Sequence, residues 1–150
     1  MRVYAGIDPG PSTGVVVLII GDDGTWSWMA FQVNGEAAFW LIESIYRDYC
    51  PRVVAIEDFI PTSKAGTTGK DAQLTRRIAE HAYQLAFAIK RVPRAHVRKR
   101  NAGMIKPWAS DHRLKKAGFP LGAKFLDARD GARHAMYAAV YDGKERDPLA

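Results

Sequence analysis

The run Thr13–Ile20, TGVVVLII, constrains this chain most. It is β-branched and apolar almost throughout, which suits a strand buried on both faces. It is far short of the ~20 residues that span a bilayer. Turn chemistry bounds it on both sides. Asp8-Pro9-Gly10 precedes it, and Gly21-Asp22-Asp23-Gly24 follows it as a hairpin signal; proline presets its own backbone angle and glycine accepts a positive one. Arg2–Asp8 therefore reads as a first strand and Thr25–Val33 as a third, with Trp26, Trp28, Ala30 and Gln32 on one face. Three strands joined by tight turns make an antiparallel meander.

Past the meander the periodicity changes. Asn34 reads as an N-cap for a helix over about 35–49, with Ala38, Leu41, Ile42 and Ile45 at helical spacing. Pro51 breaks the chain, and Val53–Phe59 reads as a buried strand. Residues 60–70, IPTSKAGTTGK, read as a polar loop, and 71–90 as a long amphipathic helix. A weak fifth strand is expected over 94–98, a basic loop over 99–124, and a last helix over about 127–142. The order implies a single α/β domain over 1–150. Its mixed five-stranded sheet has strands 1–3 antiparallel, strands 4 and 5 parallel to strand 1 through helical crossovers, and helices flanking it.

Charge is divided unevenly along the chain. Residues 1–60 hold three basic and eight acidic side chains, a net of −5, while the remainder holds nineteen and eight, a net of +11. A polyanion contacted by the second half is the implied partner. One cysteine, Cys50, excludes a disulfide scaffold and a Cys-rich zinc site, and reads as a buried small hydrophobe. The N-terminus runs directly into strand pattern without an apolar leader, so a soluble, cytoplasmic protein with no membrane partner is expected.

Four carboxylates stand out. Asp8 closes strand 1, and Glu57 ends the apolar run Val53-Val54-Ala55-Ile56, where a carboxylate is costly unless paired or liganded. Asp127 and Asp130 open the last helix at a spacing of three, with His134 four residues further on the same face. Ligands of parallel sheets gather at the carboxyl ends of the strands. If strands 1 and 4 are neighbours, these groups meet there. Converging carboxylates stay ionised together only beside a cation, and oxygen donors favour magnesium or manganese. Two such ions can activate water and stabilise the leaving oxygen of a phosphodiester. Each acid alone has a plainer role: Asp8 as a turn residue, Asp127 or Asp130 as a cap or helix-dipole partner, Asp58 as a structural neighbour facing away.

The stretches GIDPGPSTG (6–14), VVAIEDF (53–59) and DARDGARHAMYAAVY (127–141) resemble the RuvC-type Holliday junction resolvases of the RNase H-like superfamily, in the same order and over nearly the whole chain. The resemblance implies an RNase H-like fold with Asp8, Glu57, Asp127 and Asp130 as catalytic metal ligands. It implies two magnesium ions, for which manganese substitutes. It also implies a homodimer that cuts four-way DNA junctions symmetrically and leaves 5′-phosphates. The short chain and IKPWASDHRLKKAGF (105–119) are similar to bacteriophage-encoded members, placing the protein in a bacterial or infected-host cytoplasm. The chain departs from the family pattern in three places. Phe59 is the candidate for the family's junction-inserting aromatic but is not clearly in register. Gly131 stands where the family usually has Ala. Arg133-His134 is an addition, which makes His134 a candidate fourth ligand or proton shuttle.

The basic stretch Arg94, Arg98, Lys99, Arg100, Lys106, Arg113, Lys115 and Lys116 interleaves Trp108 and His112 and reads as a phosphate-tracking surface. Lys64 and Lys70 flank the loop beside Glu57, placed to close over DNA. Helix 71–90, with Tyr83 and Phe87, is the expected dimer surface. Three other readings fit less well. An RNase H-like nuclease for other branched DNA or RNA–DNA hybrid shares the same residues. A non-catalytic nucleic-acid-binding module would not need both Asp8 and Glu57. An actin-like ATPase, suggested by Asp8, Gly10, Thr13 and Gly14, needs two large lobes.

Overall fold

A computed structural model describes residues 1–58, 69–89, 92–93, 96–122 and 126–150. Phe59, Lys64 and Arg94 lie outside the described residues. The strands are β1 (Arg2–Asp8), β2 (Ser12–Ile20), β3 (Trp26–Asn34), β4 (Val53–Glu57) and β5 (Val97–Arg100). They form one sheet in the order β3-β2-β1-β4-β5. β1–β2 and β2–β3 are antiparallel; β1–β4 and β4–β5 are parallel. The expected mixed topology is the one observed.

Strand parity sorts the core into two sides. Val3, Ala5, Ile7, Val15, Val17, Val54 and Ile56 pack against α1 (Ala37–Tyr49) and α2 (Lys70–Ala88). On the opposite face Tyr4, Val16, Leu18 and Ala55 meet α5 (Leu126–Tyr137) and its continuation. Trp28 joins this second side and donates its indole N–H to the Ala117 carbonyl at 2.6 Å. The even-numbered residues of β1, Asp8 included, therefore face α5, as do the odd-numbered residues of β4, Glu57 included.

Glycine decides how near α5 comes. A Cβ on Gly6 would stand 1.9 Å from the Gly131 carbonyl oxygen, and one on Gly14 would stand 2.2 Å from that of Asp127. Only hydrogen at both positions lets the helix backbone rest on β1 and β2. Gly131, the departure noted in the sequence, is the helix's side of this contact.

Several boundaries differ from expectation. Asn34 does not cap α1: it pairs with Ser12 at the end of β3, the N-cap is Glu36, and Gly35 turns the chain at φ +59°. β5 begins at Val97 because the ladder to β4 pairs Val54 with Val97 and Glu57 with Arg100. The segment expected to be loop holds two short helices, α3 (Ala102–Ile105) and α4 (Asp111–Lys116). Asn101 caps the first by accepting from the Gly103 N–H, and Ser110 caps the second by accepting from the Arg113 N–H. Both are too short to show a period. α5 ends in a π-helical turn, Ala138–Asp142. Cys50 is exposed rather than buried: it terminates α1 in the left-handed conformation at φ 47°, and its thiol donates to the Arg47 carbonyl at 3.3 Å. Among the described residues no helix is long and apolar enough to cross a membrane.

Candidate metal centre

β1 and β4 run parallel in adjacent positions, with Ile7 beside Ile56. The next residue on each strand is Asp8 and Glu57, so both carboxylates leave the sheet at its carboxyl edge on the α5 side. The turn after Asp8 is fixed internally. Thr13, fully buried, donates its hydroxyl to the Gly10 carbonyl at 2.9 Å and accepts from the Gly10 N–H at 3.3 Å. Read from the sequence, Thr13 starts a strand and belongs to the actin-like likeness, and this role in the turn does not show. A threonine just inside a Pro-Gly turn is the signal that could have found it.

α5 supplies the third acid. Carboxylate oxygens of Asp8, Glu57 and Asp130 all lie within 4.8 Å of one another. Asp127 lies outside this trio. Its backbone N–H donates to Gln32 Oε1 at 3.0 Å, tying the start of α5 to β3, and its charge still reaches Asp8. Burial, and then the neighbouring Glu57, push the Asp8 carboxyl up to about 9, with Asp130 and Asp127 adding to the shift. Burial acts on Glu57 in the same direction, but His134 and Asp8 outweigh it and hold Glu57 below its ordinary value. The two carboxyls are thus pushed in opposite directions, Asp8 up and Glu57 down.

His134 is 2% exposed, and its Nε2 stands 3.7 Å from Glu57 Oε2. It joins Glu57 alone among the trio. Glu57 Oε2 and His134 Nδ1 are buried atoms with no hydrogen-bond partner. A buried carboxylate oxygen without a hydrogen bond, inside a trio that cannot stay ionised unaided, is the chemistry of a divalent-cation site. The donor set is all oxygen, which fits magnesium or manganese.

The basic residues divide into distinct groups. Lys106 Nζ lies 3.5 Å from Asp130 Oδ2, at the centre itself. Lys70 opens α2, and Lys99 pairs with Glu80 at 3.3 Å while its ammonium sits 4.4 Å from the Tyr83 ring. Arg100 makes two 2.7 Å hydrogen bonds to Asp142, which Arg98 also approaches at 3.5 Å. Arg113 is paired with Asp147 and lies over Trp108. Lys115 is exposed. Lys116 lines a cleft of about 610 Å³ with Arg2, Trp26 and Glu145, toward the opposite edge of the sheet. Tyr83 and Phe87 pack edge to face on α2, partly buried against their own core.

No protein-family model matches the chain, and no curated protein does. Among solved structures it is similar to Thermus thermophilus RuvC, both in a structure of the protein and in one in complex with a Holliday junction substrate. Each has a TM-score of 0.71 and 17% identity, covering 95% of this chain and 96% of that one. It is also similar to the yeast mitochondrial Holliday junction resolvase Ydc2, with a TM-score of 0.59 and 14% identity, covering 89% of this chain and 76% of that one. The likeness is one of fold: this chain has the architecture of those proteins over nearly its full length.

Proposed function

We propose that this protein is a structure-selective DNA endonuclease that resolves four-way junctions by metal-assisted phosphodiester hydrolysis. The observation that carries the reading is the convergence of Asp8, Glu57 and Asp130 within 4.8 Å at the carboxyl edge of a RuvC-type sheet. Similar folds solved as RuvC with a junction and as the Ydc2 resolvase support the substrate class.

Asp8, Glu57 and Asp130 would hold divalent ions, two magnesium ions in this reading, with manganese able to substitute and Asp127 completing the set. Bound there, such ions activate a water and neutralise charge on the scissile phosphate. The chain's own residues perform the rest. Asp8, whose carboxyl is pushed up by burial and by Glu57, would hold an ion as the carboxylate. Glu57, which His134 and Asp8 hold below its ordinary value against the effect of burial, would bind beside it, with His134 Nε2 3.7 Å from its Oε2. Lys106, half-exposed and 3.5 Å from Asp130, is a cation beside the trio that would meet a phosphate there. The phosphate contacts read branch shape rather than sequence. A pair of identical subunits related by a two-fold axis would make two symmetric cuts. The reaction leaves 5′-phosphates on cytoplasmic DNA.

A cleavage assay in magnesium tests this with a four-way junction set against duplex, flap and RNA–DNA hybrid. The junction is expected to be cut preferentially. Asp8→Asn and Glu57→Gln are each expected to abolish cutting while retaining junction binding. Full activity of either variant, or preference for the flap or hybrid, overturns the assignment.

A further inference from the structure

Arg133 belongs to the Arg133-His134 pair that departs from the family pattern. Its side chain is 12% exposed, and its guanidinium is divided among three partners. Nε donates to Asp130 Oδ1 at 3.2 Å, within the carboxylate trio. Nη1 donates to the Ala109 carbonyl, in the link between α3 and α4. Nη2 donates to Asp111 Oδ1 at 2.5 Å, in the first turn of α4. Arg129 approaches the other oxygen of Asp111 at 3.5 Å. The second oxygen of Asp130 faces Lys106, just after α3. Both oxygens of this carboxylate are thus oriented by the 102–116 segment, one directly and one through Arg133.

We propose that Arg133 is a positioning residue that couples the basic α3–α4 segment to the metal centre, so that the seating of that segment sets the ion affinity of Asp130. The inference rests on the metal-dependent reading of the trio. A carboxylate held in place before an ion arrives binds it without losing rotamer freedom on binding. Arginine suits the task because its planar fork serves three acceptors at once, whereas a lysine ammonium is a compact charge on a flexible stem. Asp111 is the remote end of the linkage. It is exposed and lies outside the trio, so altering it disturbs the coupling without touching a ligand.

The test is direct titration of the full chain with manganese, followed by calorimetry, with thermal melts as the folding control. Arg133→Gln is expected to weaken ion binding by about 10- to 100-fold, the usual loss for a residue that orients a metal ligand. Arg133→Lys is expected to fail as a rescue, since charge is kept and the fork is lost. Asp111→Asn is expected to weaken binding by about two- to fivefold, as for an exposed ion pair. It should add nothing in the Arg133→Gln background, because the two residues act through one linkage. Wild-type affinity in Arg133→Lys, or additive losses in the double variant, would overturn the coupling. If the wild-type chain binds no divalent ion, the metal reading fails and the inference fails with it. Wild-type binding with unchanged affinity in Asp111→Asn sinks the inference alone.

Discussion

Asp8 has two demands placed on it that act the same way: it is half-buried, and it faces other acids. Burial and Glu57 raise its pKa from 3.8 to about 9. A carboxyl whose folded value exceeds its unfolded one binds more protons in the native state between the two. Native stability therefore falls as pH rises through that window. Glu57 shifts the other way, and its stabilising contribution is lost only as pH falls through the range below its ordinary 4.5. In chelator, the wild-type melting temperature should decline from about pH 5 to about pH 9. Asp8→Asn should flatten that decline and melt at least ~3 °C higher at about pH 8, while magnesium should restore the wild type selectively. Melts in chelator across pH check this, and an Asp8→Asn variant no more stable than wild type on the alkaline side would contradict the burial argument. The sequence marked Glu57 as an acid in an apolar setting and offered Asp8, Asp127 and Asp130 as its partners. It did not show which of Asp127 and Asp130 joins the trio, because a spacing of three places both on similar helix faces. The Asp127 backbone rests against Gly14 and donates to Gln32, while Asp130, three residues on, reaches Asp8 and Glu57.

At the scale of elements, the decisive contact is α5 against β1 and β2. Gly6 and Gly14 admit the helix backbone at a distance no side chain allows. Gly6→Ala and Gly14→Ala should each destabilise the protein by at least ~3 kcal/mol, the upper range for overpacking, since the clash is with backbone rather than a flexible side chain. Thermal melts measure the loss. Where a variant still folds, cutting should fall further than stability, because lifting α5 withdraws Asp130 from its partners. A Gly6→Ala protein with wild-type stability would refute the close approach. β1 to β3 and α1, α2 and α5 were legible because hydrophobic period and turn chemistry are local. α3 and α4 were not, since one or two turns display no period; their caps, Asn101 and Ser110, were the only local sign.

For the whole molecule, the contrast between an acidic first part and a basic remainder is redistributed by folding. Arg100 and Arg113 are engaged with Asp142 and Asp147, so their charge is largely neutralised inside the protein. Lys70 is exposed at the start of α2, and Lys99, beside Ile56 near the end of β5, has an exposed pairing with Glu80, whereas Lys116 lies toward the other edge. Junction binding by the Lys70→Ala, Lys99→Ala double variant should weaken. The slope of log affinity against log salt should be shallower by about 1–2, near 0.9 for each phosphate the protein no longer neutralises. Lys116→Ala should leave the slope unchanged. Titrations across salt decide it, and an equal effect from Lys116 would move the DNA path to the opposite edge.

By itself the order of residues determined the strands, the main helices, the turn after Asp8 and a set of acids suspicious for their surroundings. Each of these depends on neighbours within a few positions, where steric and hydrophobic preferences act directly. Which acids meet, which cations are paired within the protein, and how Arg133 joins Asp130 to Ala109 and Asp111 were settled only in three dimensions. Those outcomes depend on the parallel pairing of β1 with β4 and on a helix lying against two glycines, contacts between residues far apart along the chain.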